Sequence, residues 1–252
     1  IIANKRIEVA NQKQAVSIDS MLSFGALGME RAPVSMKKAL KHSSSGIIAE
    51  LKRKAPAKGW LHQHAQVKVR VPAYEQGGAS ACSILTDSDF FGGSFRDLQQ
   101  ARKLVTLPLL RKDFMIDEYQ LYQARIMGAD AILLIAAALS KQTCANLAEI
   151  AHSLDLEGLL EIHGEDELDY LTPHIDMLGV NNRNLGTFHT TIDNSFRLIE
   201  QMHSQTGKGE NAPLLISESG ISDIDTVRQL RTAGFDGFLI GETFMKTPAP
   251  GE

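Results

Sequence analysis

A chain of 252 residues that is 43% hydrophobic and 22% charged is long enough to bury a sizeable core. Its formal net charge of −4 excludes the broad basic face that nucleic acid or an acidic membrane surface requires. Its two cysteines, Cys82 and Cys144, supply neither a disulfide framework nor a thiolate metal site, and a reducing cytoplasm is the expected setting.

Residues 1–45, beginning "IIANKRIEVANQKQAVSIDSML", read as helical and precede the first strand, so they are an addition at the N-terminus. Apolar runs then recur at steady intervals: "GIIAEL" at 46–51, "ASACSIL" at 79–85, "TLPLLR" at 106–111 and "DAILLIAA" at 130–137. "EGLLEI" at 157–162, "DMLGVN" at 176–181, "APLLIS" at 212–217 and "DGFLIG" at 236–241 complete the set. None alternates apolar with polar. Continuous Ile, Leu, Val and Ala runs are the mark of parallel strands covered on both faces.

Amphipathic helices fill the intervals. "SFRDLQQARKLV" at 94–105 sets Phe95, Leu98, Ala101 and Leu104 on one face, and "DEYQLYQARIMG" at 117–128 does so with Tyr119, Tyr122 and Ile126. "DIDTVRQLRTAG" at 223–234 has Asp223 at its start and Gly234 at its stop, the residue types that cap helices. Strand–helix alternation imposes right-handed parallel crossovers. Eight repeats in about 200 residues predict an α/β fold, a (β/α)8 or TIM barrel, rather than an open doubly wound sheet. No G-x-G-x-x-G follows any strand, and nothing resembles a flavin or nicotinamide site. One domain is expected over 1–252, with the helical extension at 1–45 and the barrel at 46–252. The tail "KTPAPGE" is too short for a full eighth helix, so that helix is expected to be truncated; residues are also expected before Ile1. No run approaches the roughly 20 apolar residues of a membrane span.

In such barrels the reactive residues sit at the C-terminal strand ends and in the loops that follow. Here those ends are unusually polar. The first run ends in Glu50 and Lys52, the third in "RKDF" (111–114), the fifth in Glu161, the sixth in "NNRN" (181–184) and the seventh in "SESG" (217–220). A lone charge at a strand end is usually structural. Five polar ends at one mouth would gather carboxylates and lysines of opposite sign, which suits general acid–base catalysis. A Schiff-base role for Lys52 or Lys112 remains open at this point. Gly220 and Gly241, each just after its own strand, could offer backbone N–H groups to a phosphate. Phe91, Phe114 and Trp60 could wall an aromatic substrate. His62 and His64 have no third metal ligand, and these two and His163 are expected to be surface or loop residues.

The segments "IIAELKRKAPAKG", "ASACSILTDSDFFGGS", "LLRKDFMIDEYQLYQARIMGADAILLI", "LLEIH", "GVNNRNL", "ISESGIS" and "FLIGETFM", in this order and spacing, resemble the indole-3-glycerol-phosphate synthase family. The resemblance runs from the N-terminal helix to residue 246. It implies a (β/α)8 barrel with an N-terminal helical segment, working without metal or organic cofactor. The implied reaction is ring closure, decarboxylation and dehydration of 1-(2-carboxyphenylamino)-1-deoxyribulose 5-phosphate in tryptophan biosynthesis. By motif, Lys112 would be the general acid and Glu161 its charge partner or the stabiliser of a developing cation. Lys52 and Glu50 would serve dehydration and orientation. Asn181, Arg183, Glu218 and Ser219 would hold the substrate's carboxylate and hydroxyls, with Asn181 and Ser219 counted among the catalytic set. Gly220, Gly241, Glu242 and Lys54 would frame the phosphate, and Phe91 and Phe114 would pack on the aromatic ring. A small phosphorylated substrate is the expected partner, with no nucleic acid and no membrane, and the chain is expected to be a monomer or weak dimer.

One position departs from the pattern. The family usually carries Ser-Pro-Ser after "KRK", whereas this chain has Ala55–Pro56–Ala57. Loss of both hydroxyls implies weaker substrate binding or altered loop closure, not lost chemistry. Two other readings compete: a sugar-phosphate isomerase on the same barrel, and a non-catalytic scaffold. The first does not explain Lys52, Lys112 and Glu161 together. The second gains nothing from burying unfavourable charges.

Overall fold

Each apolar run forms a strand because both of its faces are covered, one by the barrel interior and one by helices. The computed structural model describes residues 1–184, 186–187, 189–207 and 209–251, with the side chain of Leu27 set aside; Leu185, which ends the "GVNNRNL" motif, lies outside the described residues. Eight parallel strands close on themselves: β1 (Ile47–Leu51), β2 (Ala81–Leu85), β3 (Leu109–Lys112), β4 (Ala131–Ile135), β5 (Glu157–Ile162), β6 (Met177–Asn181), β7 (Leu214–Glu218) and β8 (Gly237–Ile240). Each pairs with the next in sequence, and β8 pairs with β1. The expected closed barrel is thus observed.

Strand periodicity decides what reaches the mouth. Successive side chains point to opposite faces, so residues two apart share one. Ile48, Leu110, Leu159, Ile216 and Leu239 belong to one apolar cluster filling the interior. Two residues further along, the same inward phase brings Glu50, Lys112, Glu161, Glu218 and Gly241 to the C-terminal rim. Arg111 is out of phase and stays outside, where its guanidinium faces Asp113, Gln120 and Thr86. Four helices precede the barrel: α1 (Ile2–Ala15), α2 (Ile18–Phe24), α3 (Ala26–Glu30) and α4 (Met36–Lys41). Met36 and Leu40 of α4 join the interior cluster and complete the barrel's core.

The outer helices are α5 (Val67–Gln76), α6 (Phe95–Leu104), α7 (Glu118–Met127), α8 (Lys141–Ser153), α9 (Asp193–Thr206), α10 (Ile224–Ala233) and the short α11 (Glu242–Lys246). Ser94, Asp117 and Asp223 accept backbone N–H groups at the starts of α6, α7 and α10, as their positions suggest. The buried face of α7 differs from the expected stripe: Leu121, Ala124 and Arg125 are buried with Tyr119, because α1, α2 and α3 pack on its outer side. Between β5 and β6 the crossover uses only a 3₁₀ helix, Glu165–Tyr170. Among the described residues no helix is long and apolar enough to cross a membrane.

A buried ammonium fixes α1 to the barrel. Lys5 is 1% exposed and its Nζ lies 3.0 Å from Asp87, 2.9 Å from Asp113 and 2.7 Å from Glu8. Burial alone would lower its pKa, but Asp113, Glu8 and Asp87 outweigh it and hold the ammonium above its ordinary range. Asp87 Oδ1 also accepts the backbone N–H groups of Phe90 and Phe91, and Asp113 Oδ1 that of Phe114. One cation therefore ties together the loops after β2 and β3. Removing one member of a buried ion set strands the others, so Lys5→Met should destabilise the protein by about 3–5 kcal/mol in urea unfolding; a loss under about 1 kcal/mol would refute the clamp.

Candidate active site

Three strand ends place four charges within contact of one another. Lys52 Nζ, just beyond β1, lies 2.5 Å from Glu50 Oε1, and Lys112 Nζ, ending β3, lies 3.3 Å from Glu50 Oε2 and 3.0 Å from Glu218 Oε2 at the end of β7. Two glycines make the room. A Cβ on Gly241 would run into the Glu50 carboxylate, and one on Gly179, the register neighbour of Glu161, would run into that of Glu218. Glu161 Oε1 accepts from Asn181 Nδ2 at 3.1 Å, and Asn181 Oδ1 accepts the Arg183 backbone N–H at 3.0 Å. Glu218 and Glu50 contact the Lys112 ammonium, and Glu161 acts on it through space.

The same lysine leaves its two carboxyl groups with pKa values pushed apart. Burial by itself raises the Glu50 carboxyl, but Lys52 and Lys112 overcome it and hold it at about 2. Glu218 is equally buried, pairs with Lys112 alone among the described residues and is pressed by Glu161 and Glu50, so desolvation prevails and it rises to about 7. Its buried Oε1 has no hydrogen-bond partner among the described residues, as suits a carboxyl that can carry a proton. Burial lowers the Lys112 ammonium, yet Glu218, Glu50 and Glu161 hold it well above the usual lysine range.

Two cavities meet at these charges, both bordered by Glu50, Lys52, Lys112, Arg183 and Ser219. The polar one, about 440 Å³, adds Gly220, Gly241, Glu242 and Lys58. The other, about 370 Å³, is walled by Phe91, Phe114, Leu85, Pro56 and Ile135, with Glu161 and Asn181 at its edge. The Phe91 and Phe114 rings stand 6.1 Å apart, tilted by 39°. Ser219 and Gly220 both adopt positive φ, 69° and 78°. Asn182, buried beneath, accepts from Ser195 and donates to the Ser219 carbonyl at 3.0 Å, which holds that turn.

Lys54 is a correction. The chain after β1 folds into a hairpin pairing Lys54–Ala55 with Gly59–Trp60, and Lys54 Nζ is drawn outward to the Asp89 carbonyl at 2.7 Å, 5.6 Å from the Trp60 ring. Lys58, at the hairpin's turn, borders the polar cavity instead and contacts Glu242 at 2.7 Å. Trp60 stacks on that outer side and lines neither cavity. Ala55 is buried and Ala57 exposed, and neither borders the cleft. Glu242 does, holding Lys58 and Lys246 with Arg183 at 3.8 Å. His163, expected to be a surface or loop residue, lies in the loop after β5 with its side chain largely buried between Glu161 and Glu167. Among the described residues no three His, Cys, Asp or Glu side chains are gathered to hold a metal ion.

Barrel and cleft together define a (β/α)8-barrel enzyme with its charged groups at the strand ends. The family described as indole-3-glycerol phosphate synthase matches residues 1–251. A Bacteroides thetaiotaomicron protein named indole-3-glycerol phosphate synthase is 59% identical over 254 residues, covering 100% of this chain and 94% of its own length. A Neisseria meningitidis protein of the same name is 41% identical, covering 98% of this chain and 93% of its own. Among solved structures, a tryptophan synthase alpha-subunit from Pyrococcus furiosus superposes with a TM-score of 0.59 at 15% identity, over 81% of this chain and 90% of that one, which shows a shared fold. The chain belongs to the indole-3-glycerol phosphate synthase family, decarboxylating lyases of tryptophan biosynthesis.

The charge arrangement has a spectroscopic consequence. Folding favours protonated Glu218, a preference lost as pH rises through about 7. Wild-type protein should show an infrared protonated-carboxyl stretch that fades across neutrality and is absent from Glu218→Gln; persistence of that band in the variant would contradict the assignment.

Proposed function

We propose that the cleft binds 1-(2-carboxyphenylamino)-1-deoxyribulose 5-phosphate with its aromatic ring in the apolar cavity and its phosphate in the polar one. The carrying observation is the position of Lys112, which borders both cavities and so stands where the ring and the sugar carbonyl must meet. Phe91 and Phe114 supply the aromatic wall. Gly220, Gly241 and Ser219 line the phosphate end with Lys58 and Arg183, two cations already gathered around the Glu242 carboxylate. A phosphate entering there competes with Glu242 for both.

The ring carbon bearing the carboxylate attacks the ribulose carbonyl, and the carbonyl oxygen takes a proton from Lys112 Nζ. A lysine held charged by two carboxylates is a proton donor rather than the neutral amine a Schiff base needs, which supports the acid over the nucleophile. Carbon dioxide then leaves the cationic ring intermediate. Glu161, fixed by Asn181, stabilises that positive charge. Loss of the hydroxyl as water and of a ring-side proton completes the indole, with Lys52 and Glu50 as the adjacent acid–base pair. Glu218 holds Lys112 in place, and Asn181, Arg183 and Ser219 are positioned for the substrate's carboxylate and hydroxyls.

Mixing the chain with this substrate should generate indole fluorescence. Lys112→Met should lower kcat by about 10²–10⁴-fold while preserving the circular dichroism of the fold. Unchanged turnover in that variant would remove Lys112 from the chemistry, and conversion of the substrate without an indole product would favour an isomerase.

A further inference from the structure

His163 follows β5 directly and its side chain is 15% exposed. Its Nε2 lies 3.5 Å from Glu161 Oε1 and its Nδ1 lies 3.6 Å from Glu167 Oε2. Neither ring nitrogen has a hydrogen-bond partner among the described residues. The carboxylates on both sides are held independently of the ring. Glu167, in the 3₁₀ helix Glu165–Tyr170, accepts the His163 backbone N–H at 2.6 Å, and Glu161 Oε1 accepts from Asn181. The Asn194 side chain, from α9, donates to the carbonyls of both His163 and Asn181 at 3.2 Å, so the two backbones that flank Glu161 are tied together.

A neutral imidazole fits this slot badly. Whichever tautomer it adopts, one ring nitrogen presents a lone pair to a carboxylate oxygen in a largely buried slot. Only the imidazolium presents an N–H to each side. The protonation state is thus dictated by the two carboxylates that bracket the ring.

We propose that His163 is a positioning residue: as an imidazolium bridging Glu161 and Glu167, it fixes Oε1 of Glu161 and leaves Oε2 to the reacting ring. Among the described residues Asn181 is the hydrogen-bond donor to Oε1, and no protein donor is directed at Oε2. The inference rests on reading Glu161 as the group that stabilises the cationic intermediate. Burial lowers the imidazolium's pKa, but Glu167 and Glu161, with Glu218 beyond, outweigh it and raise the group above its ordinary 6.5. From α9 the group that faces the ring's backbone is the neutral Asn194 amide, and Arg197 on the same helix is turned to that amide at 2.7 Å. The imidazolium is therefore kept to higher pH than in a free imidazole and is lost as pH rises through the raised value. Glu161 then loses its second anchor, and kcat falls on the alkaline side.

Two readouts test this, one of them independent of turnover. In proton NMR of the whole chain, the imidazole Cε1–H resonance that disappears in His163→Gln should titrate above 6.5. In Glu167→Gln, which leaves the ring in place, it should titrate lower than in wild type. In kinetics, His163→Gln should lower kcat about tenfold with KM changed less, and should abolish the alkaline fall of kcat over that range. A wild-type titration at or below 6.5, no change in Glu167→Gln, or wild-type kcat and pH profile in a folded His163→Gln would each overturn the proposal. A wild-type chain that titrates as expected but forms no indole product would instead sink the reaction on which the proposal rests.

Discussion

The structure turns on one lysine held between two carboxylates across the mouth of a closed barrel. Lys112 reaches Glu218 and Glu50 from a different strand than either, and Lys52 closes the set on Glu50. Below them the interior is apolar, so none of these charges could be accommodated singly. Together they form a set in which each charge is the solvent of the others. Its asymmetry matters more than its strength. Glu50 is shared by two cations and stays ionised, whereas Glu218 shares one and is poised near neutrality. An acid–base site needs groups whose environments push them apart in this way.

The N-terminal helices extend this logic outward. Lys5 grips Asp113, the residue after Lys112, and Asp87, which anchors the backbone of Phe91. The helix that supplies it also brings Ile1 and Ile2 to the rim of the apolar cavity. Lys112 and the Phe91–Phe114 wall therefore share one buried anchor. Polar groups this numerous inside a barrel weaken the fold, and the continuous apolar interior with α4 beneath it offsets them.

The barrel was legible because strands covered on both faces cannot hide their composition, and period two carried Glu50, Lys112, Glu161 and Glu218 to one rim. Gly220, Gly241 and Phe114, just after their strands, and Phe91 in the loop after β2 line the cleft's two halves and were legible from those positions. What failed was whatever depended on the path of a loop or on a contact between distant segments. Lys54 and Lys58 read alike in a basic tract, and only the hairpin decides that Lys58 faces the cleft. Nothing in the sequence singles out Lys5, because its aspartates lie far along the chain. His163 reads as a loop histidine until the 3₁₀ turn returns Glu167 to its other side. That Glu218 reaches Lys112 was not legible, because β7 lies across the barrel from β3.

The central claim, that these gathered charges drive a decarboxylating ring closure, is tested most directly by stoichiometry. Substrate labelled in its aromatic carboxylate would be followed through one enzyme turnover, with released carbon dioxide and indole product counted together. The account predicts one carbon dioxide for every indole formed, in the same kinetic phase. Consumption of substrate with the label retained in a rearranged sugar phosphate would contradict it.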